Sequence, residues 1–226
     1  AEIMQIFMAA GSRWPAYPSI VGSGDNGCIL HYTRNDDVIN DGELVLIDAG
    51  CELDYYASDI TRTFPSNGRF SEPQRALYQL TLDAQYTAIE ATKPGNHWNQ
   101  PHEAAVRVLT TGLVELGLLS GEVDELIESL AYRQFYMHKT GHWLGMDVHD
   151  VGEYRVEGEW RTLAPGMVLT IEPGIYVAPD DESVDEKWRG IGIRIEDDVV
   201  VTQDGCDVLT KDVVKEIADI EALMSA

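Results

Sequence analysis

Gly42-Glu-Leu-Val-Leu-Ile-Asp48-Ala-Gly50 and Gly166-Met-Val-Leu-Thr-Ile-Glu172-Pro-Gly174 are two writings of one pattern. Each runs glycine, five mostly apolar residues, an acid, one small or rigid residue, and glycine again. A short apolar run between glycines reads as a buried strand. Each is followed by a second acid on another β-like run: Asp59 in Ser58-Asp-Ile-Thr-Arg-Thr63, and Glu196 in Ile193-Arg-Ile-Glu-Asp-Asp-Val-Val-Val-Thr202. The repeat offset is 124 residues (172 − 48). Two hairpins so related can aim four carboxylates at one point. Ionised groups out of water cost many kcal/mol unless paired, so such a cluster asks for cations, and two divalent ions would neutralise it.

The rest of the composition sets bounds. At 226 residues and 44% apolar content the chain suits one large globular domain, residues 1–226. No apolar run reaches the roughly 18 residues a membrane span needs, and the start, Ala1-Glu-Ile-Met-Gln-Ile-Phe7, lacks the basic stretch of a signal peptide. Three cysteines, Cys28, Cys51 and Cys206, have no metal-ligand spacing and read as reduced thiols, which points to a cytoplasmic protein. The net charge of −23 argues against nucleic acid and against an anionic membrane surface. It is compatible with cation binding and with a substrate carrying an amine.

Residues 1–10 read as the end of an amphipathic helix closed by Gly11, and 12–43 as turn-rich. Residues 44–48 and 59–64 are expected to pair as strands. Ser71-Glu-Pro-Gln74 is a helix start, with Ser71 as cap and Pro73 in the first turn. That helix should run to about Thr92, followed by helices over 101–116 and 123–130. A strand-like pattern is expected from Phe135 to about Val151, strands over 166–172 and 191–202, and a closing helix over 211–224. Strands, helices, then strands predict an α+β fold, an antiparallel sheet covered by helices on one side.

Three of the six histidines fall in His138-Lys-Thr-Gly-His142-Trp-Leu-Gly-Met-Asp-Val-His149-Asp150. His138 and His142 have the spacing of a zinc-protease helix, but Lys139 stands where that motif needs glutamate, and Gly141 and Gly145 oppose a helix. Beside the hairpin acids, the segment yields a five-residue ligand set: Asp48, Asp59, His142, Glu172 and Glu196. Four carboxylates balance two divalent ions, and an oxygen-rich shell with one imidazole suits manganese while tolerating cobalt, iron or zinc. Arg194, two residues before Glu196, shares its strand face if the strand is regular. It supports either a ligand carboxylate or the substrate, or else forms a surface ion pair.

Ile47-Asp-Ala-Gly50, Ser58-Asp-Ile-Thr-Arg-Thr-Phe64, His142-Trp-Leu-Gly-Met-Asp-Val-His-Asp150, Thr170-Ile-Glu-Pro-Gly-Ile-Tyr176 and Gly192-Ile-Arg-Ile-Glu-Asp-Asp198 together resemble the catalytic domain of Xaa-Pro aminopeptidase (aminopeptidase P) and its sister prolidase. The likeness runs over nearly the whole chain. It implies a pita-bread fold of two pseudo-symmetric halves around two metals. It implies that Asp59 and Glu196 bridge them, that Asp48 completes one, and that His142 and Glu172 complete the other. It also implies substrate-side roles for His31, His138 and His149, and a general acid–base role for Glu172. The expected substrates are peptides with proline in second position, and a homo-oligomer is expected. Against the family's pattern, the chain is expected to lack the opening helix and the separate N-terminal domain. The competing readings are a prolidase cutting X-Pro dipeptides, a non-catalytic pita-bread binding module, and a metal-free creatine hydrolase. The last two are disfavoured because all five ligands are kept.

Overall fold

A computed structural model describes residues 1–225. In chain order it has α1 (Glu2–Ala9), β1 (Trp14–Pro15), β2 (Ile20–Ser23), β3 (Leu44–Asp48), β4 (Cys51–Leu53), β5 (Tyr56–Ala57) and β6 (Thr61–Pro65). Helices α2 (Glu72–Ala91), α3 (Gln100–Glu115) and α4 (Val123–Glu128) follow. The second strand region holds β7 (Arg155–Val156), β8 (Glu159–Trp160), β9 (Val168–Ile171), β10 (Gly174–Tyr176), β11 (Gly192–Arg194), β12 (Asp197–Val201) and β13 (Cys206–Val208), and α5 (Ile217–Met224) closes the chain. All described ladders are antiparallel.

The repeat becomes two hairpins. β3 lies between β2 and β6, and β12 between β13 and β9. Asp48 sits opposite Thr61 at the end of the first ladder. Ile171 sits opposite Asp197 in the second, so Glu172 and Glu196 lie one step beyond its end. The hairpins meet along a seam. Glu196 donates its backbone N–H to the Thr61 carbonyl at 3.1 Å, and the Thr61 hydroxyl donates to Glu196 Oε2 at 2.6 Å. The Thr63 hydroxyl donates to the Arg194 carbonyl at 3.0 Å and accepts its N–H at 3.2 Å. Four acids therefore converge because the two β-ends abut.

The helices cover one side. In α2 the buried Leu77, Tyr78, Leu82, Ala84 and Ala88 face Ala105, Val106, Leu109 and Leu113 of α3, and one apolar cluster joins both helices to β9, β11 and β12. That spacing is a single apolar helix face. α2 begins as expected: Ser71 Oγ accepts from Gln74 N–H, and Gln74 Oε1 accepts from Ser71 N–H, a reciprocal capping box. Beneath it lies Asp197, fully buried, which accepts from Arg62 (2.7 Å), Lys215 (2.7 Å), Thr210 (2.6 Å) and Gln85 (2.9 Å).

Four expectations are corrected. Residues 12–43 contain a real strand, β2, whose Gly22 and Ser23 look like turn formers but pair with Leu46 and Val45. Residues 135–151 form no regular strand; one isolated bridge, Trp143 to Leu169, aligns them with β9. The closing helix starts at Ile217, not Lys211. The carbonyls of Val213, Val214 and Lys215 are taken by Arg62 and Tyr78, which draws them out of a helical ladder. The strand expected over 191–202 is also interrupted at Ile195–Glu196, where β11 ends and β12 begins.

Gly50 is required by close approach. A Cβ there would lie 1.7 Å from the Ser58 carbonyl oxygen, a backbone atom that cannot swing away. Gly50→Ala is expected to destabilise the fold by about 3 kcal/mol, the upper range for overpacking, read as a lower midpoint in urea with unchanged slope. A loss under about 0.5 kcal/mol would show that the β4–β5 hairpin can move aside.

Candidate metal centre

All eight residues singled out from the sequence line one cavity of about 440 Å³: Asp48, Asp59, His142, Glu172, Glu196, and at its sides His31, His138 and His149. Nε2 of His142 lies 3.3 Å from Asp59 Oδ2 and 3.7 Å from Glu172 Oε1. Donor atoms of Asp59, His142 and Glu196 all fall within 4.8 Å of one another. Asp48 joins them through Tyr17, whose hydroxyl donates to Asp48 at 2.5 Å and also contacts Asp59.

Local structure fixes each side chain. The segment carrying His142 lies against β9: Thr170 N–H donates to the His142 carbonyl at 3.0 Å, His142 N–H donates to Thr170 Oγ1 at 3.1 Å, and Glu172 N–H donates to the Thr140 carbonyl at 2.7 Å. A Cβ on Gly141 would sit 2.0 Å from the Thr170 carbonyl oxygen, so only glycine admits this approach. Asp59 is held by its backbone N–H, which donates to Asp198 Oδ2 at 3.0 Å. Nδ1–H of His142 donates to the Trp143 carbonyl at 3.0 Å, which turns Nε2 toward the acids.

The charges are in conflict without a cation. Burial, reinforced by the neighbouring carboxylates, pushes Glu196 well above the usual carboxylate range and Glu172 up to about 7. Asp48 is also raised by burial, although Arg194 at 2.7 Å opposes this. Burial pulls His142 down, but hydrogen bonding to Asp59 and the charge of Glu172 lift it to about 9, so a proton sits where a cation would. A buried, oxygen-rich set with an imidazole whose far nitrogen is tied to a carbonyl fits a divalent metal.

The flanking residues divide. His149 stands edge-on to His142, ring centres 4.3 Å apart, with its ring open to the cavity. His31 is exposed at the rim. His138 has both nitrogens engaged, Nδ1 with the Lys139 carbonyl at 2.7 Å and Nε2 with the Tyr176 hydroxyl at 2.9 Å. In this arrangement it orients Tyr176 and has no free donor to offer. Arg194 bonds the Asp48 carboxylate and the Tyr176 hydroxyl, and is 3% exposed. Sequence reading missed Tyr17, Tyr176 and Asp198. Tyr17 sits in a turn-rich stretch with no periodicity, and Asp198 follows Glu196 with no spacing signal of its own.

The duplicated antiparallel scaffold with its acids at the seam is the pita-bread fold, and the chain belongs to metallopeptidase family M24, which matches residues 1–203. The solved structure of Pseudomonas aeruginosa aminopeptidase PepP is similar at 65% identity and a TM-score of 0.98, covering 99% of this chain and 51% of that one. The Xaa-Pro aminopeptidases of Haemophilus influenzae and Escherichia coli are 56% and 55% identical over 225 residues, 100% of this chain and 52% and 51% of theirs. The chain thus spans about half the length of the relatives it matches. Among the described residues no helix is long and apolar enough to cross a membrane.

Proposed function

We propose that residues 1–226 form the catalytic domain of an aminopeptidase that hydrolyses the bond between an N-terminal residue and a following proline. The observation that carries this is the His142 imidazole, its tautomer set by the Trp143 carbonyl and Nε2 aimed at Asp59 and Glu172. The similarity to Xaa-Pro aminopeptidases supports the substrate class. Asp48, Asp59, His142, Glu172 and Glu196 would hold two divalent ions, best manganese, with Asp59 and Glu196 serving both and cobalt, iron or zinc tolerated. Bound there, the ions would supply a low-pKa water and polarise the peptide carbonyl.

The residues do the rest. Glu172 can take a proton and pass it to the departing prolyl nitrogen, since burial holds its carboxyl near neutrality. Tyr17 stays protonated because burial and the Asp48 charge raise it, so its hydroxyl remains a donor pinning two carboxylates. Arg194 fixes Asp48 in place. His149, open to the cavity, is the donor placed to stabilise an oxyanion, and His31 lies where the peptide enters. An X-Pro bond calls for such a dedicated site because proline lacks the amide N–H and restricts the residue before it. The three free thiols accord with a cytoplasmic setting. On α1 no residue is buried, and Ile6 and Met8 are exposed, an apolar stripe that accords with association into a homo-oligomer.

Elemental analysis after manganese loading is expected to give about two ions per chain, the count a dinuclear site holds, and the loaded protein is expected to cleave X-Pro-Y peptides. Preference for X-Pro dipeptides over X-Pro-Y would favour the prolidase reading. Metal binding without cleavage of either would leave a binding module.

A further inference from the structure

The cavity is lined by two unlike sets of residues. One is the acids described above. The other is formed by Trp98, Tyr154, Trp160 and Lys139, none of which the chemistry so far uses. The rings are packed together: Trp98 and Tyr154 have centres 4.7 Å apart, and both touch Trp143 behind them. Lys139 Nζ lies 5.9 Å from the Trp160 ring centre and 3.5 Å from Asn99 Oδ1. The Arg155 guanidinium stacks on the same Trp160 ring at 3.9 Å. Neither Lys139 nor Arg155 has a carboxylate partner among the described residues. Two cations thus share the Trp160 ring, and of them Lys139 lines the cavity.

A cavity of about 440 Å³ lined by carboxylates and by an ammonium offers room for a short peptide and a cation for its free carboxylate. That carboxylate, one or two residues beyond the proline, is the group Lys139 would meet. Lys139 follows His138 directly, about 3.8 Å further along the chain, and a lysine stem adds reach. The aromatic wall offers flat apolar surface for the side chain next to that carboxylate. Resting on the aminopeptidase reading, we propose that Lys139, against Trp98, Tyr154 and Trp160, forms a subsite for the free C-terminal carboxylate of short X-Pro peptides. The substrates favoured are then tri- and tetrapeptides with an unblocked C-terminus.

The test compares Ala-Pro-Leu with its C-terminal amide on the metal-loaded chain, using the parent, Lys139→Gln, Lys139→Arg and Lys139→Glu. Lys139 is exposed, so the fold should tolerate all three. For the parent, KM is expected to be about fivefold lower for the acid than for the amide, the scale of a partly exposed ion pair, with kcat unchanged. Such uniform binding appears in KM alone. Lys139→Gln should erase the preference, Lys139→Arg should keep it, and Lys139→Glu should reverse it. Equal KM values in the parent, or a preference that survives Lys139→Gln, would overturn the subsite. Intrinsic tryptophan fluorescence, titrated with the same two peptides, separates the two ideas. If neither peptide is cleaved but the acid still binds more tightly through Lys139, the activity reading fails and the subsite stands. If neither is cleaved and their dissociation constants agree, the subsite fails too.

Discussion

Glu172→Gln is expected to lower kcat on X-Pro-Y peptides about a thousandfold, within the range for loss of a general acid–base group, while peptide affinity changes far less. Glutamine keeps the shape and can still offer an oxygen, but it cannot carry the proton from water to the prolyl nitrogen. Metal content must be measured on the same sample. A fully loaded variant with kcat within tenfold of the parent would remove Glu172 from that role. The same substitution has a stability signature. Burial raises the Glu172 carboxyl from 4.5 to about 7, so the fold resists its ionised form. Between those values the folded state holds the proton more strongly than the unfolded chain, and stability falls as pH rises through that window. Without metal, the variant should therefore melt higher than the parent above pH 7 and approach it near pH 4.5. Equal pH profiles for the two metal-free proteins would show that this carboxyl does not strain the empty site.

Arg62→Met should cost about 3–5 kcal/mol, the scale for removing one partner of a buried ion pair. Arg62 donates to Asp197 at 2.7 Å, to the Glu196 carbonyl at 2.5 Å, to the Thr61 carbonyl at 2.9 Å and to the Val213 carbonyl at 2.8 Å. Methionine fills much of the volume but satisfies none of these acceptors. Urea unfolding reads the loss directly, and Arg62→Lys should recover only part of it, because an ammonium cannot span the same fork of acceptors. A loss below about 1 kcal/mol would mean that Lys215, Thr210 and Gln85 satisfy Asp197 without it.

Much of this frame was legible because local and long-range signals agreed. The repeated glycine–apolar–acid–glycine pattern marked β3 and β9 and their acids, and the hairpins bring those acids together. Ser71, Pro73 and Gln74 announced α2 by side-chain chemistry that needs no neighbours. What stayed hidden depends on tertiary contact. Gly22 and Ser23 read as turn formers until β3 supplies a partner. Residues 211–216 carry helix-compatible side chains, but their carbonyls serve Arg62 and Tyr78, which approach from more than 100 residues away. Tyr17, Tyr176 and Asp198 meet the candidate site residues only once the chain is folded. The ring nitrogens of His138 were spoken for by Lys139 and Tyr176, which no spacing rule reveals.

If the four acids hold metal, the seam of Thr61, Thr63, Arg194 and Glu196 also decides when the protein becomes a chelator. Each hairpin alone offers two acids, and two acids alone would hold a divalent ion weakly. Once the hydroxyls of Thr61 and Thr63 lock onto Glu196 and Arg194, the second pair of acids is presented to the first at a high effective concentration. Capture of an ion would therefore belong to the docked pair and to neither half. An ion bound there would clamp the two hairpins together, adding its binding energy to a joint already held by these hydrogen bonds and by the Arg62–Asp197 and Arg194–Asp48 ion pairs.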